Sequence, residues 1–382
     1  MLNNQPAGIY IHVPFCLRRC RYCDFYSATE LHQRDAFTAA LLREIELAPD
    51  PGPADTIYFG GGTPSLLDPG QVAAIISAVQ VRFSILSDVE ITLEANPGTI
   101  DFAVLTDFKA AGVNRINLGV QSFDEDQLAF LGRIHSAQEA IHAVEDTRKA
   151  GFDNLGLDLI YGLPGQTSAA LQRDVEQAVA LEPEHLACYL LTYEKGTSLE
   201  KARELGNVTP LPEKESAKLF LKNSELLAGS GYHQYEISNY ARTAQYFSRH
   251  NCKYWNFAPY IGLGPAAHSF LDPVRSWNHR ELSTYLTDLK NGQLPVRAKE
   301  SLTPGQQMIE AVYLGLRQTR GISMSDFNYR FGVDFQKFFQ AVLSDSGLDG
   351  LLEKEDEFYR LTPNGMVVMD AVVSRFVDVI PF

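Results

Sequence analysis

Residues 8–23 read GIYIHVPFCLRRCRYC, and how this stretch is parsed decides the rest of the chain. Gly8 to Val13 is a short β-branched and aromatic run of strand character, broken at Pro14. Three cysteines come at once after it, Cys16, Cys20 and Cys23, in C-x3-C-x2-C spacing. Reactive side chains just past the C-terminal end of a strand are the habit of parallel α/β sheets and barrels. Working outward, comparable runs recur at 56–60, 90–95, 115–120, 155–161 and 186–193. Helical spacing of apolar residues fills 35–47, 69–83, 101–111, 137–150, 168–181 and 213–228. Gly112 and Gly151 each follow a basic last turn, a helix stop that supports the parse. Six β/α units predict a parallel sheet covered by helices.

The C-terminal end of each strand carries polar or glycine-rich chemistry: Cys16, Gly60-Gly61-Gly62, Glu94, Gln121, Asp158 and Thr192. A barrel gathers such residues at one mouth, whereas a doubly wound sheet spreads them along an edge. The expected fold is therefore α/β, a partial (β/α)6 TIM-like barrel over 1–230. An aromatic-rich segment at 231–300 contains HNCKYW at 250–255 and YIGLGPAAH at 260–268, and it is expected to be irregular cover at the mouth. Residues 301–382 show three helical patterns, two short strands about a charged turn and a helix over 363–377, a mainly helical, winged-helix-like domain. That domain carries seven Lys/Arg against eleven Asp/Glu, so it lacks the cations that phosphate contacts require, and a packing or partner-contact role is expected instead.

The whole chain, 382 residues with net charge −14, 45% hydrophobic and 21% charged, has globular composition and is a poor match for nucleic acid. No apolar run approaches the roughly 18 residues that suggest a membrane span, and the N-terminus lacks the features of a signal peptide. Five cysteines, three of them crowded into eight positions, argue for reduced thiols and a cytoplasmic setting rather than a disulfide framework. A structural zinc site wants four ligands, commonly in close pairs, which three thiols without a partner pair do not supply. A 4Fe-4S cluster held by three cysteines leaves one iron open. An open iron can chelate the amino and carboxylate groups of S-adenosylmethionine, and an electron then cleaves the sulfonium C–S bond to give a 5′-deoxyadenosyl radical. Unrelated buried cysteines are the competing reading, and Arg18, Arg19 and Arg21 between and beside the thiols speak against it.

With the cysteine motif go Gly60-Gly61-Gly62-Thr63-Pro64, Glu94-Ala95-Asn96-Pro97, Gly119-Val120-Gln121-Ser122 and Asp158-Leu159-Ile160-Tyr161-Gly162-Leu163-Pro164. Together they resemble the radical S-adenosylmethionine superfamily, and within it the family of oxygen-independent coproporphyrinogen III oxidases and the HemW heme chaperones, over essentially the whole chain. The resemblance implies that Tyr10, Tyr22, Gly61 and Glu94 contact S-adenosylmethionine. Gly62, Thr63, Gln121, Arg133, Asp158 and Thr192 match positions near a second S-adenosylmethionine or the substrate. Taken alone, a glycine run is a turn, Asp158 a helix cap and Arg133 a surface ion pair; shared placement at strand ends distinguishes them.

Two departures favour the chaperone branch. The oxidases carry a fourth cysteine where this chain has Phe25, and a longer segment before the cluster than the fifteen residues here. His250-Asn251-Cys252-Lys253-Tyr254-Trp255 matches that branch's H-N-x-x-Y-W signature, which implies heme near His250, Tyr254 and Trp255, with Cys252 and His268 as other ligand candidates. The resemblance thus implies a cytoplasmic heme chaperone, at most peripheral at the inner membrane, delivering heme to membrane respiratory hemoproteins. It would carry a 4Fe-4S cluster and S-adenosylmethionine and be served by an electron donor such as flavodoxin or ferredoxin. The alternative is oxygen-independent coproporphyrinogen III oxidase activity in porphyrin metabolism; a radical methyltransferase or cyclase is a third. Catalytic residues are not named by the sequence, and Cys188 reads as structural.

Overall fold

The computed structural model describes residues 5–381. Six strands run in parallel and pair in chain order: β1 (Ala7–Val13), β2 (Ala54–Gly61), β3 (Ile85–Ala95), β4 (Arg115–Gln121), β5 (Leu155–Tyr161) and β6 (His185–Leu190). Helices Arg34–Leu47, Pro69–Arg82, Phe102–Ala110, Ala137–Lys149 and Ser168–Ala180 form the crossovers, close to the expected spans. The six do not close on themselves, since β6 pairs onward with a short antiparallel strand and β1 has a further parallel neighbour. The result is the α/β partial barrel expected from the alternation.

Period two governs each strand. One set, including Ile9, Ile11, Phe59, Leu93, Ile116, Leu118 and Leu157, is fully buried against the crossover helices' Leu41, Ile75, Val79 and Phe108. Burying one such side chain is worth about 1.5–3 kcal/mol, so this layer dominates the stability of the core. The other set is polar and lines the interior: Tyr10, Tyr58, Thr92, Glu94, Arg115, Asn117 and Asp158. The interior face is concave. Tyr189 on β6 lies within electrostatic reach of Glu94 on β3, whereas three spacings of a flat sheet would separate these strands by about 14 Å.

The stretch 231–300, expected to be irregular, instead extends the sheet at both edges. β7 (His233–Gln234) and β8 (Asn239–Ala241) continue from β6, while β9 (Tyr260–Leu263), β10 (His268–Leu271), β11 (Val274–Asn278) and β12 (Val296–Ser301) continue from β1. Helices Arg249–Trp255 and Leu282–Lys290 lie among them. These strands have two to six residues, too few for an alternating pattern to show in the sequence. Two short helices also went unread, Glu125–Leu131 and Ser198–Glu204, each capped at its N-terminus by an Asp124 or Thr197 side chain.

In the C-terminal region, helix Pro304–Arg317 packs on helix Met369–Val377 beside a small antiparallel sheet of β13 (Ile322–Ser323), β14 (Leu352–Glu355) and β15 (Phe358–Leu361), with Phe327, Phe335, Phe339 and Phe376 at its centre. It docks on the barrel through Arg317, whose Nε lies 2.6 Å from the buried Glu236, and through Gln318, which donates to the Trp255 carbonyl. No helix among the described residues is long and apolar enough to cross a membrane.

Candidate functional site at the barrel mouth

The loop after β1 is closed at its stem, where the Cys16 N–H donates to the Ala28 carbonyl at 2.9 Å and the Ala28 N–H to that of Pro14 at 2.6 Å. Cys16, Cys20 and Cys23 are partly exposed in this loop. Its far side is fastened to the barrel: the Arg21 N–H and guanidinium donate to the Leu131 and Phe130 carbonyls, and Leu199 N–H donates to the Arg21 carbonyl. Tyr22 packs on Leu131, Ile160, Leu163, Leu191 and Leu199.

Two groups from elsewhere at the mouth aim hydrogens at the sulfurs, Thr63 just past β2 and Arg133 in the loop that follows helix Glu125–Leu131 rather than at a strand end. Thr63 Oγ1 donates to Cys16 Sγ at 3.6 Å, its own N–H being held by the Phe15 carbonyl. Arg133 Nη1 donates to Cys20 Sγ at 3.4 Å while Nη2 donates to the Gly119 carbonyl at 2.6 Å. The same guanidinium faces the Tyr22 phenol, and its Nε is buried without a partner. Burial holds the Cys16 thiol above its ordinary range and pushes Cys23 up to about 11, so metal binding would have to displace these protons. Among the described residues the three thiols share one half-buried loop without being drawn together into a metal-holding group, while the aimed donors and the unpartnered buried Nε–H of Arg133 suit the sulfur shell of a cluster with one open iron.

Behind the loop, Glu94 accepts from Tyr58 Oη at 2.6 Å. Burial pushes its carboxyl up to about 7 despite the Tyr58 bond, and Asp158 adds to the rise. Asp158 accepts from Asn117 Nδ2 at 2.8 Å and is itself raised by burial to about 6. Two carboxyls thus face the chamber close to their own titration range. Gly61 has φ of +106°, and a Cβ there would meet the His12 ring at 2.7 Å, so only glycine fits this turn beside Glu94. Gly62 N–H donates to the Val13 carbonyl, and a Cβ at Gly62 would meet the Phe15 carbonyl oxygen at 2.6 Å. Gln121 is buried with φ of 71°, a left-handed conformation that costs a non-glycine residue about 1–2 kcal/mol and often marks a functional position. Tyr10 Oη lies 3.1 Å from His12 Nδ1, and His12 Nε2 lies 2.9 Å from the Tyr26 carbonyl. The carbonyl needs a hydrogen on Nε2, so Nδ1 accepts from Tyr10, and burial pushes His12 down to about 4, keeping it neutral.

Three of the residues expected at strand ends lie elsewhere: Asp158 is at the middle of β5, Arg133 follows helix Glu125–Leu131, and Thr192 lies beyond the end of β6 at Leu190, exposed with no hydrogen bond from its side chain among the described residues. His250, Tyr254 and Trp255 are not at the mouth. His250 is buried beneath the barrel interior, Nδ1 2.8 Å from Thr56 Oγ1 and Nε2 2.9 Å from Tyr254 Oη, with its ring stacked on Tyr58 at 5.0 Å. Both nitrogens are engaged, and burial followed by Lys253 pushes its basicity down to about 3. Iron ligation by His250 would require breaking one of these bonds. Trp255 packs on Tyr235 and Arg317 at the C-terminal docking surface. Residues that strand-end reasoning passed over are Tyr58, His12, Asn117 and Arg115. Their signal was present as polar side chains at alternate positions within the strands.

The Radical SAM superfamily model matches residues 10–178, and the HemN C-terminal domain model matches 302–368. The heme chaperone HemW of Bacillus subtilis (strain 168) is 33% identical over 96% of this chain and 98% of its own length. HemW of Mycobacterium tuberculosis (strain ATCC 25618 / H37Rv) is 36% identical over 97% and 95%. The solved structure of coproporphyrinogen III oxidase (HemN) from Escherichia coli superposes with a TM-score of 0.84, covering 98% of this chain and 90% of that one, at 22% identity, a likeness of fold. Barrel, cysteine loop and full-length similarity agree: the chain belongs to the HemW family of the radical S-adenosylmethionine superfamily.

Proposed function

We propose that this chain is a heme carrier whose barrel mouth holds a 4Fe-4S cluster and S-adenosylmethionine, and which passes heme to respiratory hemoproteins at the membrane. One observation carries the cofactor part: donors from two other segments, Thr63 just past β2 and Arg133 after helix Glu125–Leu131, aim at the sulfurs of the cysteine loop. In this reading Cys16, Cys20 and Cys23 ligate the cluster, and Thr63 and Arg133 donate to its sulfur shell. Glu94, set by the Tyr58 hydroxyl, accepts from the ribose hydroxyls or ammonium of S-adenosylmethionine. Tyr22 offers a ring face to adenine, and Tyr10 closes the chamber below. Gly62, Gln121, Asp158 and Thr192 border the remaining space. When bound, the cluster supplies one electron to the sulfonium.

The carrier part is supported by the name borne by relatives over nearly their whole length and by Phe25, 66% exposed, where the oxidases have a fourth cysteine. The cofactor core is assigned to 1–230, the covering flank to 231–300, and partner contact to 301–382. Delivery would occur from the cytoplasm, peripherally at the inner membrane, with flavodoxin or ferredoxin as electron source.

Anaerobically reconstituted protein is mixed separately with heme and with coproporphyrinogen III plus reductant and S-adenosylmethionine. Stable heme absorbance without porphyrinogen turnover is the expected result. Conversion to protoporphyrinogen IX at enzymatic rates, or no retention of heme, would overturn the carrier reading.

A further inference from the structure

Three side chains of the 231–300 segment could give a donor atom to iron, His250, Cys252 and His268, and their surroundings differ. His250 has both nitrogens engaged, and burial pushes the Cys252 thiol up to about 12. His268, on β10, is exposed, and neither ring nitrogen has a hydrogen bond among the described residues. Its ring lies parallel to that of Trp277, centroids 5.8 Å apart at 23°.

Strand pairing fixes where this imidazole stands. His268 is opposite Trp277, and Phe270 is opposite both Arg275 and Tyr260. Tyr260 in turn neighbours Gly8 of β1, two residues before Tyr10. All of these therefore share the concave face. Toward the floor, Tyr254, Tyr260 and Phe270 form one wall of a cavity of about 480 Å³ whose other wall comes from helices Pro304–Arg317 and Met369–Val377, with Arg275 paired to Glu310 across it. Toward the mouth, His268 is within electrostatic reach of His12. Arg280, exposed and in no ion pair among the described residues, lies over the Tyr26 ring of the cysteine loop. An unengaged imidazole thus stands between this cavity and Arg280, a guanidinium in no ion pair among the described residues that donates to the Asp24 carbonyl on the flank of the cofactor chamber.

We propose that His268 is the residue through which this chain ligates the iron of its heme cargo, with Trp277 fixing the imidazole plane and the Tyr260–Phe270 cavity receiving the apolar edge of the macrocycle. The proposal rests on the heme-carrier reading. Partial burial and Arg275 hold His268 below its ordinary basicity, so the ring is neutral and carries a lone pair near neutral pH. Arg280 supplies a charge that complements a propionate.

The test is a heme titration of cluster-loaded protein, followed by difference absorbance in the Soret region and by electron paramagnetic resonance, on wild type, His268→Ala and His250→Gln. His268→Ala is expected to lose the imidazole-ligated spectrum and to weaken binding roughly tenfold or more, with cluster loading and circular dichroism unchanged. Free imidazole should restore the spectrum of that variant, and His250→Gln should keep the wild-type spectrum. His268→Ala titrating as wild type would overturn the proposal while leaving the carrier reading standing. So would loss of ligation in a folded, cluster-loaded His250→Gln. Failure of wild type to bind heme would instead overturn the carrier reading itself.

Discussion

Tyr58→Phe removes one oxygen from beneath the proposed S-adenosylmethionine site and little else. The ring is held between Tyr10, at 6.2 Å, and His250, at 5.0 Å, and this stacking survives the change. What goes is the 2.6 Å donation to Glu94, one of the bonds that offset the rise of this carboxyl to about 7. A hydrogen bond to a charged group is worth about 1.5–3 kcal/mol net, and each unit of pKa corresponds to 1.36 kcal/mol, so the carboxyl should move up by roughly one to two units. The ionised fraction near neutral pH then falls about tenfold or more. Because the ionised form is the acceptor, S-adenosylmethionine affinity should fall by about that factor near pH 7 and recover as pH is raised toward 9, while cluster loading stays unchanged. Anaerobic isothermal titration calorimetry on reconstituted wild type and Tyr58→Phe measures this across the pH range. Equal affinities near pH 7, or a deficit that does not shrink with rising pH, would refute the role given to the Tyr58–Glu94 pair.

The same geometry sets other outcomes. Replacing Cys16, Cys20 or Cys23 by Ala should abolish iron and sulfide loading, whereas Cys188→Ala should retain it, because Cys188 is buried on β6 with its thiol pushed up to about 12; equal loading in all four variants would sink the ligand assignment. Glu44 is buried and raised to about 7, accepting from the Gly264 N–H, Asn278 Nδ2 and Tyr285 Oη with no cation in contact among the described residues. The folded chain therefore holds this proton more tightly than the unfolded one, and the associated stability is present below about pH 4.5 and lost as pH rises toward 7, by up to roughly 3 kcal/mol. Chemical denaturation of wild type and Glu44→Gln should show this pH slope flattened in the variant; identical slopes would count against it.

The alternation of runs and helical patterns carried the barrel, because each unit is long enough for its period to show. The flanking strands were hidden because β9 and β10 have four residues each. Gly61, Glu94 and Gln121 lie at strand ends as the alternation placed them, but Asp158, at the middle of β5, shows that the chamber owes as much to alternate positions inside the strands. Arg115, wholly buried and facing Glu90 and Asp158, belongs to that unread face. His250 shows the limit most clearly. Its spacing from Tyr254 already puts the two on one helical turn, where they bond, yet its engagement also depends on Thr56, 194 residues away in sequence, which no local pattern announces. His268 is the converse: its exposure arises from pairings of β10 and β11 that only the assembled sheet reveals.

The central claim is that three thiols of one loop hold a cluster with an iron open to S-adenosylmethionine. The direct measurement is electron paramagnetic resonance of the reconstituted, one-electron-reduced protein with and without S-adenosylmethionine, alongside iron and sulfide analysis. About four irons per chain and a cluster signal whose g values shift on addition of S-adenosylmethionine are expected. A signal that S-adenosylmethionine leaves unchanged, or a protein that binds no cluster, would contradict the account.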